Sequence, residues 1–241
     1  MFKKIKKLLL GDASTDIAFR YLPVVELIKK NKFNRSTILE IGSGDLGITP
    51  YYSGEVIGID ISFDQPSSRQ LKKIKIDGPI FPFKDNEFET SISIDVFEHI
   101  KPEERLAYFI EIFRVTRKGF ILVLPVGNLS YEHDKKLGDY FFKIHNKKDK
   151  FINEHLENNL PSIAVLHHEL FRAAELSEKK IELTEEKKLL NLTIRQMLME
   201  FKISKSRFKK IIYFSFLSLA RFQSIFNFGE CYRRLFFIKI K

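Results

Sequence analysis

The residues best suited to chemistry lie in "ILEIGSGDLGITPYY", residues 38–52, and in one acid beyond it. Gly42, Gly44 and Gly47 stand in G-x-G-x-x-G spacing after a short apolar run that reads as a strand. Gly42 permits a tight turn and Gly44 a close approach of backbone to ligand, since neither carries a Cβ. Asp60 ends the next apolar run, 18 residues after Gly42, where a carboxylate accepts hydrogen bonds from both hydroxyls of a ribose. Strand, glycine turn and second-strand acid, in that order, predict a site for a ligand built on a nucleoside.

The charges around the turn bear on what that nucleoside carries. Glu40 lies two residues before Gly42 and Asp45 lies inside the turn, so a pyrophosphate would meet carboxylates where it needs amide donors. S-adenosylmethionine has the same adenosine, no phosphate, and two cationic centres that acids favour. From about Thr37 to Val126 the chain resembles the class I S-adenosylmethionine-dependent methyltransferases, especially their small-molecule branch related to quinone-biosynthesis enzymes. "ILEIGSG" looks like the cofactor turn and "VIGIDIS" like the ribose-binding strand. "IDGPIFPFKDNEFETSISIDVFEHI" is similar to the adenine-contact acid, the Pro-Phe after the third strand and the Asp-x-x-Glu-His after the fourth. "KPEERLAYFIEIFRVTRKGFILVLP" is similar to the following helix and fifth strand. One departure is Gly47, three residues after Gly44 where the family's third glycine stands two after, and it bears on loop detail.

The resemblance implies S-adenosyl-L-methionine as cofactor and a role for each matching residue. Glu40 would help hold the methionyl ammonium through water or loop amides, with Gly42, Ser43 and Gly44 along the methionine portion. Asp60 would grip the ribose diol and Ile61 would pack on the adenine face. Asp77 would accept from the adenine amino group beside Gly78, and Asp95 would sit near the methionyl end and the reacting methyl. Simpler roles compete: Gly47 easing the turn, Asp77 as a turn residue before Gly78 and Pro79, and Asp95 or Glu98 capping a helix that begins near Lys101 or Pro102.

A sulfonium is an activated methyl donor, so the catalyst's main task is to align acceptor and methyl. A hydroxyl acceptor also needs a general base. Of the histidines His99, His133, His145, His155, His167 and His168, five fall between 133 and 168, where the resemblance places the acceptor pocket. His99 is the first candidate base, and His155 the second, in "NEHLENNLP", which resembles the E-H-x-x-x-G-L-P segment of some relatives. Adjacent His167 and His168 point to different sides of a helix. No H-x-x-x-H, H-E-x-x-H or C-x-x-C spacing occurs, so the sequence predicts no metal site.

The elements that must position these residues alternate. "TILEI", "EVIGID", "KIKID", "TSISID" and "GFILVLPV" read as strands separated by segments of helical length, which argues for a parallel sheet covered by helices. "STDIAFRYLPVVELIKKN" reads as one or two helices with Pro23 as a kink or restart. "SIAVLHHELFRAAELSEKK" reads as a helix, "KKIELTEEKKL" as containing a strand, the stretch from Thr193 to Phe228 as mostly helical, and "CYRRLFFIKIK" as a strand. The expected fold is an α/β, Rossmann-like, seven-stranded, mostly parallel sheet with an antiparallel last strand, helices on both faces and a helical insertion near the C-terminus. Its expected parts are a basic and amphipathic segment at 1–35, a core at 36–190, the insertion at 191–228 and the last strand at 229–241.

Composition narrows the class of function. With 241 residues, 44% apolar and 30% charged, the chain can bury a globular core. The lone cysteine, Cys231, excludes an internal disulfide framework and fits a cytoplasmic protein, and the apolar run near the start is too short for a signal-peptide core. The net charge of +10 sits at the ends: residues 1–10 hold +4 and residues 202–241 hold +9, leaving −3 between. No nucleic acid is therefore expected as partner, and "IDVFEH" stands where nucleic-acid methyltransferases carry N-P-P-Y or D-P-P-Y. Five cations at 202–210 precede ten mostly apolar residues, too few to span a bilayer but suited to the surface of an anionic membrane, with the basic start as a second contact. Such a placement would suit a lipid-linked or glycan acceptor; without it a small-molecule acceptor is expected, in each case with an oxygen as the acceptor atom. Burial of the same helices against the sheet edge or a second subunit is the alternative. A nicotinamide-dependent oxidoreductase and a non-catalytic cofactor-binding module of the same fold are the competing functions.

Overall fold

The computed structural model describes residues 14–241. The basic start, expected as a second membrane contact, lies outside the described residues. Seven strands run β1 (Ile38–Ile41), β2 (Val56–Asp60), β3 (Leu71–Lys75), β4 (Phe88–Ile94), β5 (Thr116–Pro125), β6 (Ile181–Asn191) and β7 (Cys231–Ile240). They form one sheet in the order β3-β2-β1-β4-β5-β7-β6, parallel from β3 to β5, with β7 antiparallel to both β5 and β6. The chain reverses direction outward from β1 on one side and from β4 on the other, so the C-terminal ends of β1 and β4 flank a crevice where ligands bind in open α/β sheets.

Two apolar layers hold the sheet. Side chains alternate along β5, so Phe120, Leu122 and Leu124 join one core while Ile121 and Val123 join the other. On the first face α2 (Pro102–Val115) and α5 (Ile163–Leu176) supply Phe109, Ile112, Phe113, Leu166 and Leu170. On the second, α1 (Thr15–Lys30) lays down Tyr21, Val24, Val25, Leu27 and Ile28. Pro23, expected as a kink or restart, lies inside this one continuous helix. A third apolar cluster joins Ala18 and Phe19 of α1 to Leu198 of α6 (Leu192–Ile203), to Tyr213 of α7 (Arg207–Leu219) and to Ala220 of the following 3-10 helix, Ala220–Phe226. The insertion between β6 and β7 is thus seated on α1. Helices α3 (Gly127–His145) and α4 (Lys150–Asn158) line a cavity together with Asp95 and Glu98 after β4.

The segments of helical length after the first three strands are not helices. Residues 42–55, 61–70 and 76–87 are turns and bends. Gly42, Gly44 and Gly47 adopt φ of 69°, 54° and 51°, left-handed values that cannot begin an α-helix. The other two connections contain Pro66, Gly78, Pro79 and Pro82, residues that end or prevent helices.

Candidate active site

The cofactor turn is wrapped around a buried acid. Glu40, 1% exposed, accepts from the Tyr21 hydroxyl and from the amide of Ile48, each at 2.9 Å. Burial raises its carboxyl to about 7, against the pull of those two donors. A Cβ on Gly47 would lie 2.2 Å from Glu40 Oε2, so the third glycine makes room for this carboxylate as well as turning the chain. Glu40 therefore shapes the loop, and its effect on a ligand runs through the loop's amides. A Cβ on Gly42 would collide with Val96, which holds the turn against the residue after Asp95, whereas Gly44 and Gly78 face open space. Ser43 is buried and its hydroxyl donates to the Gly44 carbonyl at 3.2 Å.

Asp60 fastens the same loop from the next strand. Its carboxylate accepts from the amides of Gly44 (2.8 Å) and Ile61 (2.7 Å). Ile61, 63% exposed, offers an uncovered apolar face beside it. Asp77 is exposed after β3. Burial raises the Tyr108 hydroxyl, and the charges of Glu104, Asp77 and Asp60 add to the rise. Asp45 differs from its expected role. It is bonded to Lys73 Nζ (2.7 Å) and to the Gln65 amide (3.0 Å), so its charge is neutralised and it ties the turn to β3.

At the end of β4, Asp95 takes a left-handed backbone (φ 53°) and its carboxylate is committed to two guanidiniums, Arg20 at 2.6 Å and Arg233 at 2.6–2.9 Å. Burial opposes ionisation, yet Arg233 and Arg20 hold the acid well below the usual carboxylate range. Helix α2 is capped at Lys101 without a side-chain acceptor, so neither Asp95 nor Glu98 caps it.

The two candidate bases, 56 residues apart in sequence, meet across one wall of a cavity of about 570 Å³. Their Nε2 atoms are 3.3 Å apart. The Nδ1 of His99 is 2.8 Å from Glu154, and the Nδ1 of His155 is 2.8 Å from Asp134. Asp134 also accepts from Arg195 and the Tyr232 hydroxyl, both at 2.6 Å; burial raises its carboxyl, but Arg195, His155 and Tyr232 keep it below its ordinary value. Glu98 is 0% exposed and neither of its oxygens has a hydrogen-bond partner; burial and the charge of Asp95 push its carboxyl well up. Burial and the neighbouring His155 lower His99. The pair is held in place by Arg105, whose Nε donates to the carbonyls of Phe97 and Ile100 and whose NH2 donates to that of Asn159, and by Asn158, whose side-chain amide donates to the carbonyl of His99.

The remaining histidines stand outside this pair. His145 lines the cavity with its Nε2 3.1 Å from the Ile203 carbonyl; His167 rests on Phe236 while its neighbour His168 is exposed. Sequence reasoning missed Arg20, Asp134, Glu154, Arg195, Tyr232 and Arg233, which carried no motif; their roles arise from contacts made by distant elements.

A family model described as a methyltransferase domain matches residues 39–124, which runs from the glycine turn through β5. No curated protein matches the chain significantly in sequence. Among solved structures, magnesium protoporphyrin IX methyltransferase from Synechocystis PCC 6803 with bound SAH is 14% identical, with 91% of this chain and 81% of that one covered at a TM-score of 0.51. The cyclopropane synthase from Mycobacterium tuberculosis is likewise 14% identical, with 85% and 77% covered and a TM-score of 0.51. At such identity these two likenesses are of fold.

Proposed function

We propose that this chain, which through residues 39–124 belongs to the class I S-adenosylmethionine-dependent methyltransferases, methylates an oxygen of a lipid-linked acceptor held in the cavity beside Asp95. The carrying observation is that the turn fastened by Asp60 follows β1 while His99, paired with His155 of α4, follows the adjacent strand β4. Val96, packed on Gly42, joins the two halves of the site. In the reaction the acceptor oxygen attacks the methyl carbon, the bond from methyl to sulfur breaks, and the sulfonium leaves as a thioether. The chain's part is to align the two and to receive the hydroxyl proton at the His99–His155 end, where the lowered proton affinity of His99 keeps a neutral base available.

The lipid-linked character of the acceptor is supported by the insertion. Phe208, Ile211, Leu219, Phe222 and Ile225 are exposed among Lys205, Arg207, Lys209, Lys210 and Arg221. An apolar face ringed by cations matches an anionic lipid surface, and no helix among the described residues is long and apolar enough to cross a membrane. Lys210 and α6 also line the cavity, so a surface-bound enzyme would present the cavity wall to its acceptor.

The test is incubation of the protein with methyl-labelled S-adenosylmethionine and an extracted membrane lipid fraction. Label should enter the lipid phase and vanish with Asp60→Ala. Label confined to water-soluble acceptors would contradict the lipid-linked assignment.

A further inference from the structure

We infer that Glu98, His99 and His155 form a three-ligand site for a divalent transition-metal cation such as zinc, with its open coordination position facing the cavity. One ligand atom from each residue lies within 4.8 Å of the others. The two Nε2 atoms are 3.3 Å apart, and His155 Nε2 is 3.9 Å from Glu98 Oε1. Two nitrogens bound tetrahedrally to one zinc ion at about 2.0–2.1 Å are themselves separated by roughly 3.3–3.4 Å. The imidazoles already stand at that spacing.

The protons on the imidazoles point the same way. An ionised carboxylate only accepts hydrogen bonds, so Glu154 and Asp134 fix the proton of each ring on Nδ1. With one proton per ring on Nδ1, the two Nε2 lone pairs face one another, an arrangement that a shared proton or a bound cation relieves. A carboxylate behind the far nitrogen is also the device that orients metal-binding histidines. Glu98 completes the case independently: it is fully buried with both oxygens unpartnered, a costly state for a carboxyl group that coordination would relieve. Three carboxyl groups, those of Glu98, Asp134 and Glu154, surround the two rings; Arg195 offsets Asp134, and Lys150 Nζ lies 3.8 Å from Glu154. The distances are short enough for one ion and the third ligand comes from the residue next to His99, so the site was hidden from any search for paired histidines in sequence.

The consequence for catalysis rests on the methyl-transfer reading. With a cation bound, both Nε2 lone pairs are taken and the pair no longer serves as the base of the metal-free site; the cation would instead supply Lewis-acid polarisation to an acceptor hydroxyl at the open position. The metal site itself does not depend on this step.

The test uses full-length protein freed of metal by a chelator and titrated with cobalt(II), followed by calorimetry and by visible absorption. One ion per chain with intense tetrahedral absorption is expected, with affinity reduced at least 100-fold in His155→Ala and in Glu98→Gln. Asp134→Asn, which alters the acceptor behind His155 and also the partner of Arg195 and Tyr232, should weaken binding about 10–100-fold, and His168→Ala should leave it unchanged. Glu98→Gln preserves side-chain shape, and thermal unfolding of each variant separates loss of the site from loss of the fold. Absence of cobalt binding by the unaltered protein, or binding unaffected by both His155→Ala and Glu98→Gln, would overturn the proposal. Binding of S-adenosylmethionine, measured on the metal-free protein, reports on the functional reading separately.

Discussion

Glu40 shows how a residue in a binding motif can act from underneath. Its raised carboxyl, about 7 against an ordinary 4.5, means that folding favours the protonated form. A carboxyl raised in this way contributes stability fully below about pH 4.5, and that contribution is lost as pH rises through 7. At about 1.4 kcal/mol per unit the change is on the order of 3 kcal/mol. Glu40→Gln should therefore flatten the fall in stability between pH 4.5 and 7, as read by urea unfolding across that range; an unchanged slope would show that Glu40 ionises normally. Gly47→Ala places a Cβ against the same carboxylate in a left-handed conformation, which alone costs roughly 1–2 kcal/mol. Calorimetry should show weaker cofactor binding together with a lower unfolding midpoint. The glycines and Asp60 were legible because their chemistry is local: a φ sign, a missing Cβ, an acid at a strand end. The partner of Asp45 was not, because Lys73 comes from another strand and turns a supposed electrostatic repulsion into a tether.

At the scale of elements, α7 has two apolar faces with different fates. Tyr213 is buried against α1, where Thr15 donates to its carbonyl at 2.7 Å, while Phe208 stays 70% exposed. A helix with both faces apolar and one of them uncovered is expected to find an occupant. Phe208→Ser combined with Ile225→Ser should abolish sedimentation with anionic vesicles at low salt and leave cofactor titrations unaltered. Retention of vesicle binding in the double variant would remove this exposed face of α7 and the following 3-10 helix as the contact. The sequence located this helical insertion but misjudged the connections between the first four strands. Length alone suggested helices there, and the glycine and proline content that forbids them deserved more weight than spacing.

Across the whole molecule, Asp95 joins three distant parts of the chain. Arg20 comes from α1, Asp95 from the end of β4 and Arg233 from β7, and all three are largely shielded from solvent. Asp95→Ala would leave two guanidiniums facing each other, a loss of about 3–5 kcal/mol for a broken buried pair. Thermal unfolding should show it as a large downward shift in midpoint; a variant as stable as the parent would mean that the triad does not hold these elements together. The order of strands and the position of the glycine turn could be read from alternation and from motif. The ion triad and the histidine pair could not, because contacts between residues 20 and 233, or 99 and 155, exist only once the sheet has formed.

The most direct test of the central claim is calorimetric titration of the purified protein with S-adenosylmethionine, S-adenosylhomocysteine and NAD, repeated with Asp60→Ala. The account predicts binding of the first two, none of NAD, and loss of binding in the variant. Binding of NAD alone, or binding of S-adenosylmethionine that survives Asp60→Ala, would contradict it.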